Sequence, residues 1–115
     1  MTFEVKFRLR IYRGDEIAIG PGKVALVEAI AETGSISAAA RQLGMSYRRA
    51  WLLIAELNRS LRSPAVVGVA GGKRGGGATL TAEGRELVTR YRTIEAAARD
   101  AASADLEALT RLLAP

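Results

Sequence analysis

The sequence predicts one mainly α-helical domain with small β elements, and three observations carry that prediction. Apolar residues recur at helical spacing over most of residues 21 to 113, whereas strict alternation is confined to the start of the chain. Gly20-Pro21, Gly34, Gly44 and Pro64 punctuate the helical stretches where helices begin or end. A length of 115 residues allows one core of ordinary size, so the reading is a single domain over residues 1–115.

The elements follow in order. Phe3, Val5, Phe7, Leu9 and Ile11 alternate with Glu4, Lys6, Arg8 and Arg10, the pattern of a half-buried strand. Arg13-Gly14-Asp15 turns the chain and Glu16 to Ile19 returns, so residues 1–20 read as an N-terminal β-hairpin. Residues 21–62 hold three helices. Pro21 opens the first, whose stripe is Val24, Leu26, Val27 and Ile30, and Gly34 ends it. Ser35 caps a short alanine-rich helix from Ile36 to Leu43, Gly44 stops it, and Ser46 caps a third helix to about Leu61. Ala50, Leu53, Ile54, Leu57 and Leu61 form that helix's buried face, and Tyr47, Arg48, Arg49 and Arg59 stay outside.

Residues 66–80 read as two short strands, Val66–Val69 and Ala78–Leu80, around a loop with five glycines in seven positions. Thr81 then caps a C-terminal helix, or pair of helices, over residues 81–113. Its apolar positions, Leu87, Tyr91, Ile94, Ala98, Ala102, Leu106, Leu109 and Leu113, are spaced 4, 3, 4, 4, 4, 3 and 4 apart. Unbroken, that seam is about 39 Å long, and Ser103 is the natural place for a break. A seam of this kind predicts a homodimer, with Leu87, Tyr91, Ile94, Ala98, Leu106 and Leu109 between the subunits.

Composition narrows the chemistry. With no Cys and no His, thiolate or imidazole metal sites, disulfides and His-based catalytic groups are excluded. The carboxylate pairs Glu83/Glu86 and Asp105/Glu107 read as solvated faces, so no catalytic residue, metal or cofactor is predicted. The longest apolar run is the six residues Ala50–Ala55, too short to span a membrane, and the alternating start is unlike a signal peptide. A cytoplasmic protein is expected. Net charge is +5, and residues 41–92 alone carry ten basic against three acidic side chains. Such a band suits an anionic polymer, nucleic acid above all, or serves solubility alone.

The helix pair joined at Gly44 favours the first option. Ala39 and Ala40 allow close approach, and the glycine allows a tight turn, as a helix-turn-helix requires. A plain helical hairpin is the alternative for this pair taken alone. The third helix would then present Ser46, Tyr47, Arg48 and Arg49 to base edges and phosphates, with Ser35 and Ser37 at the start of the second helix beside a phosphate. Directly afterwards comes the glycine loop with Lys73 and Arg74 at its apex, a wing able to reach backbone or minor groove. A phosphate-binding loop of nucleotide enzymes is excluded there by Val67 and Arg74, where Gly and Ser or Thr are needed. Trp51 is expected to pack against the hairpin or the wing strands, with contact to a base as the alternative. The predicted fold is thus a winged helix-turn-helix with a long C-terminal helix, and the predicted partner is double-stranded DNA. A winged-helix interaction module that docks an acidic protein partner is the alternative.

The run GPGKVALVEAIAETGSISAAARQLGMSYRRAW, the later PAVVGVAGGKRGGGATLTAEG and the pair Tyr91-Arg92 resemble the DNA-binding domain of ModE-type molybdate-responsive regulators. The helix-turn-helix also resembles that of LysR-type regulators. The resemblance covers about residues 5 to 95 and implies a dimeric regulator of molybdate uptake or molybdenum-related genes. It places Ser46 to Arg49 on the major groove and Lys73/Arg74 on the wing. Members of that family sense the oxyanion through C-terminal molbindin domains. The 115 residues leave no room for one, so the expectation is a regulator without its own sensor, working alone or with a separate molybdate sensor.

Overall fold

The computed structural model describes residues 2–72 and 75–115. Its elements run β1 (Ile11–Arg13), β2 (Glu16–Ile19), α1 (Pro21–Thr33), α2 (Ile36–Gln42), α3 (Tyr47–Ser60), β3 (Val66–Gly72), β4 (Gly75–Leu80), α4 (Ala82–Ala101) and α5 (Ser103–Arg111). The two sheets are separate antiparallel pairs, β1 with β2 and β3 with β4. This is the winged helix-turn-helix that the spacing predicts.

Local chemistry accounts for the helix ends. Pro21 sits in the first turn of α1, and Gly34 closes the helix in the left-handed region at φ 81°, its N–H donating to the Ile30 carbonyl. The Ser35, Ser46 and Thr81 hydroxyls accept from the backbone N–H groups of Ala38, Arg49 and Gly84 at 3.0, 3.1 and 3.1 Å, capping α2, α3 and α4. The core lies where α1, α2 and α3 meet under the second sheet. Val24, Leu26, Val27, Ile30 and Leu57 are its largest fully buried side chains, each contributing about 1.5–3 kcal/mol on burial. Ala39, Ala40 and Ala50 fill the crossing of α2 and α3, small enough for the backbones to close up.

Two expectations need correction. The N-terminal strand is not paired over Phe3 to Ile11: the ladder begins at Ile11, opposite Ile19. The physical reason is the partner's length, because β2 gives way at Gly20 to the helix that Pro21 starts. The alternation persists as packing, with Val5, Phe7 and Leu9 half-buried and Glu4, Lys6, Arg8 and Arg10 exposed. The wing strands are longer than the flanking apolar residues suggest. They pair from Val66↔Leu80 to Gly72↔Gly75, with an irregularity after Val69, so backbone bonding carries the ladder into glycine-rich sequence. The C-terminal helix divides where the sequence predicts a break: α4 is capped at Ala102, whose N–H donates to the carbonyls of Ala98 and Asp100, and α5 begins at Ser103.

Candidate nucleic-acid interface

The turn between α2 and α3 is set by Gly44, at φ 69°, with Met45 donating its N–H to the Ala40 carbonyl at 3.0 Å. A side chain rarely adopts this backbone, which is why a glycine stands there. The turn leaves the first residues of α3 on the surface: Ser46, Tyr47, Arg48 and Arg49 are all exposed. At 100° per residue they point in different directions. Tyr47 and Trp51 line a groove shared with Ser35, the cap of α2, with Ser37 on α2 and with Val67 and Gly68 on β3. Arg48 and Leu52 face outward, and Arg49 lies on the hairpin side beside Glu16, Leu53 and Glu56.

Two of the carboxylates beside Arg49 are already engaged. Glu16 pairs with Arg59 at 3.3 Å and Glu56 with Lys23 at 3.4 Å. Lys23 is 6% exposed and also donates to the Ile17 carbonyl at 2.5 Å, a charge held inside by two acceptors. Among the described residues neither Arg48 nor Arg49 forms an ion pair within the protein, so both forks are available to an outside acceptor. Ser35 and Ser46 use an oxygen lone pair in capping and retain their O–H as donors.

The wing is joined rigidly to this surface. Asn58, in the last turn of α3, donates Nδ2–H to the Val66 carbonyl at 3.0 Å, and its Oδ1 accepts from the Ala65 and Val66 N–H groups at 2.8 and 3.4 Å. At the other strand, Ala78 donates to the Gly34 carbonyl at 2.9 Å. A Cβ on Gly77 would stand 2.7 Å from that same oxygen, so only glycine allows the approach. Lys73 and Arg74, the predicted wing-tip contacts, lie outside the described residues.

Trp51 departs from expectation. It is 50% exposed, and its ring forms part of the groove wall instead of being sealed against hairpin or wing. Asn58 was also not singled out by its spacing. Its signal is an amide set between Ile54, Leu57 and Leu61, where a buried polar group needs partners.

The predicted dimer seam is divided. Leu87, Ala98 and Leu106 are half-buried, while Ile94 and Leu109 are exposed. Tyr91 corrects the expectation: it is 2% exposed and donates its O–H to the Leu9 carbonyl at 2.8 Å, so it serves the protomer's own packing. Burial, then the neighbouring Glu95, raises its phenol above the ordinary range. Beside it Arg92 bonds to Glu28 on α1 and, at 2.7 Å, to Glu95 on α4. These hydrogen bonds outweigh desolvation and hold its guanidinium protonated more firmly than usual. No described helix is long and apolar enough to cross a membrane.

Comparisons with known proteins match this geometry. The profile of the family described as "Bacterial regulatory helix-turn-helix protein, lysR family" matches residues 22–85, more than half of the chain. The molybdenum-pterin-binding protein MopB of Rhodobacter capsulatus is 50% identical over 78 residues, 68% of this chain and 29% of that protein. The molybdenum transport protein ModE of Azotobacter vinelandii is 44% identical over the same shares of the two chains. The transcriptional regulator ModE of Yersinia pestis is 40% identical over 117 residues, 99% of this chain and 44% of that one. The chain therefore spans less than half the length of these curated relatives. Among solved structures, the complex of the CbnR DNA-binding domain with DNA aligns with a TM-score of 0.57 at 25% identity, over 76% of this chain and 95% of that one. ArgP of Mycobacterium tuberculosis shares the fold with a TM-score of 0.53 at 24% identity, over 76% of this chain and 30% of that one.

Proposed function

The chain belongs to the LysR family of bacterial regulatory helix-turn-helix proteins, and from that premise we propose that it is a cytoplasmic, homodimeric transcription regulator that binds double-stranded DNA. Its target genes are those of molybdate transport or molybdenum use. The molybdenum link rests on what its relatives are named for, molybdenum transport in one case and molybdenum-pterin binding in another. The DNA link is supported by the neighbour solved on DNA.

The observation that carries the reading is the state of Arg48 and Arg49: exposed at the start of α3, forming no ion pair among the described residues, with Glu16 and Glu56 nearby held by other cations. In the complex, α3 enters the major groove with these two arginines on base edges or phosphates. Ser35, Ser37, Ser46 and Tyr47 donate to the flanking backbone. Lys73 and Arg74 on the wing add phosphate contacts that do not depend on sequence.

A mobility-shift titration tests this. Arg48→Ala or Arg49→Ala costs about 1–3 kcal/mol of affinity and relaxes sequence preference if the side chain reads a base. Lys73→Ala or Arg74→Ala weakens all sequences alike and lowers the salt slope by about one unit. Four variants binding like the parent would end the proposal. Recovery of bound genomic DNA with and without molybdate tests the choice of genes.

A further inference from the structure

Leu52 is an apolar side chain on the charged, outward side of α3. It is 43% exposed, and it is neither part of the core nor one of the partly buried side chains packed against it. At about 100° per residue it lies roughly 40° round the helix from Arg48, and roughly 140–160° from the buried Ala50, Ile54 and Leu57. Leu52 therefore stands one turn beyond Arg48 on the same ridge, about 6 Å along the axis. With Ser46, Arg48, Arg49, Leu53 and Glu56 it lines a shallow pocket of about 230 Å³. The one carboxylate among these side chains, Glu56, is met by Lys23 at 3.4 Å.

The chemistry of the side chain limits what it can recognise. An isobutyl group has no hydrogen-bonding atom, so against the polar edge of guanine, adenine or cytosine it would displace water and offer no bond in return. The major groove presents one apolar group, the C5-methyl of thymine. Arg48 and Arg49, exposed and without an ion pair among the described residues, flank Leu52. The surface thus suits a partner that is anionic on either side and apolar at one point, which a thymine methyl between two rows of phosphates provides.

We infer that Leu52 is a specificity-determining residue that reads thymine through its methyl group, one or two base-pair steps from the contact of Arg48. The inference rests on the DNA-binding reading above and names one base within it. The spacing follows from about 6 Å of helix set against 3.4 Å per base pair. Leu52 adds discrimination and little affinity for DNA at large, because a methyl contact is absent wherever thymine is.

Selection of duplexes from a random library by the parent protein defines its preferred site. Thymine is expected at one position within two steps of the position that Arg48→Ala relaxes, and Leu52→Ala is expected to relax that thymine alone. Deoxyuridine in its place removes the methyl and leaves base pairing and protein unaltered. The parent is expected to bind the deoxyuridine duplex about fourfold more weakly, and Leu52→Ala to bind both duplexes equally. With cytosine at the same position, 5-methylation is expected to recover part of the lost affinity. The deoxyuridine comparison is made on the parent protein, so it decides even if Leu52→Ala folds poorly. A parent that binds thymine and uracil duplexes alike at every position of the site overturns the inference and leaves the DNA-binding reading standing. A Leu52→Ala variant that loses affinity equally on all sequences does the same. A parent that selects no duplex overturns both.

Discussion

Trp51 is half in water on a helix whose first turn carries two arginines with no internal ion pair among the described residues. Its ring borders the groove between α3 and the wing, which in the proposed complex is the path of the duplex backbone, with the indole N–H as a phosphate donor and the ring covering a deoxyribose. Trp51→Phe is expected to keep the fold and lose a few-fold in affinity, and Trp51→Ala about tenfold or more. As the chain's single tryptophan it reports directly: its fluorescence changes on adding operator duplex, and an unchanged spectrum at saturation refutes the contact. Arg48 and Arg49 were legible because their exposure follows from the local period of one helix. The exposure of Trp51 was not, since it depends on where Val67 and Gly68 come to rest many residues later.

The wing is an element held by side chains outside it. Asn58 makes three hydrogen bonds to the backbone at Ala65 and Val66, and Thr81 donates to the Pro64 carbonyl at 2.6 Å. Asn58→Ala leaves those backbone groups short of partners and is expected to cost about 1–3 kcal/mol. A lower urea midpoint at unchanged slope would show it. Affinity for DNA falls with it, because the wing loses its bearing on α3. The helices were readable from caps and stripes, down to Pro21 and Gly34. The β elements were less so. A strand's length is decided by its partner, so the alternation of residues 3 to 11 overstated one ladder, and glycines that look like loop carry the other.

At the scale of the whole molecule, the link from α1 to α4 ties the helix-turn-helix to the C-terminal helices, and in the proposed dimer it would set how the helix-turn-helix faces a second copy. Arg92 makes that link through Glu28, and both side chains are partly exposed, so the pair adds at most about 1 kcal/mol to stability. Its larger effect is orientation. Arg92→Met is expected to shift the melting temperature little, yet to weaken binding to a duplex with two half-sites more than to one with a single half-site. Equal losses on both duplexes would refute this role. Tyr91 and Arg92 were visible as a pair in the sequence, but their partners Leu9 and Glu28 lie far away along the chain and only folding brings them together. The Gly34 carbonyl, bonded to Ala78, has a mechanical consequence. In the proposed complex a pull on the wing would pass to the corner joining α1 to α2 through Ala78, as well as to α3 through Asn58.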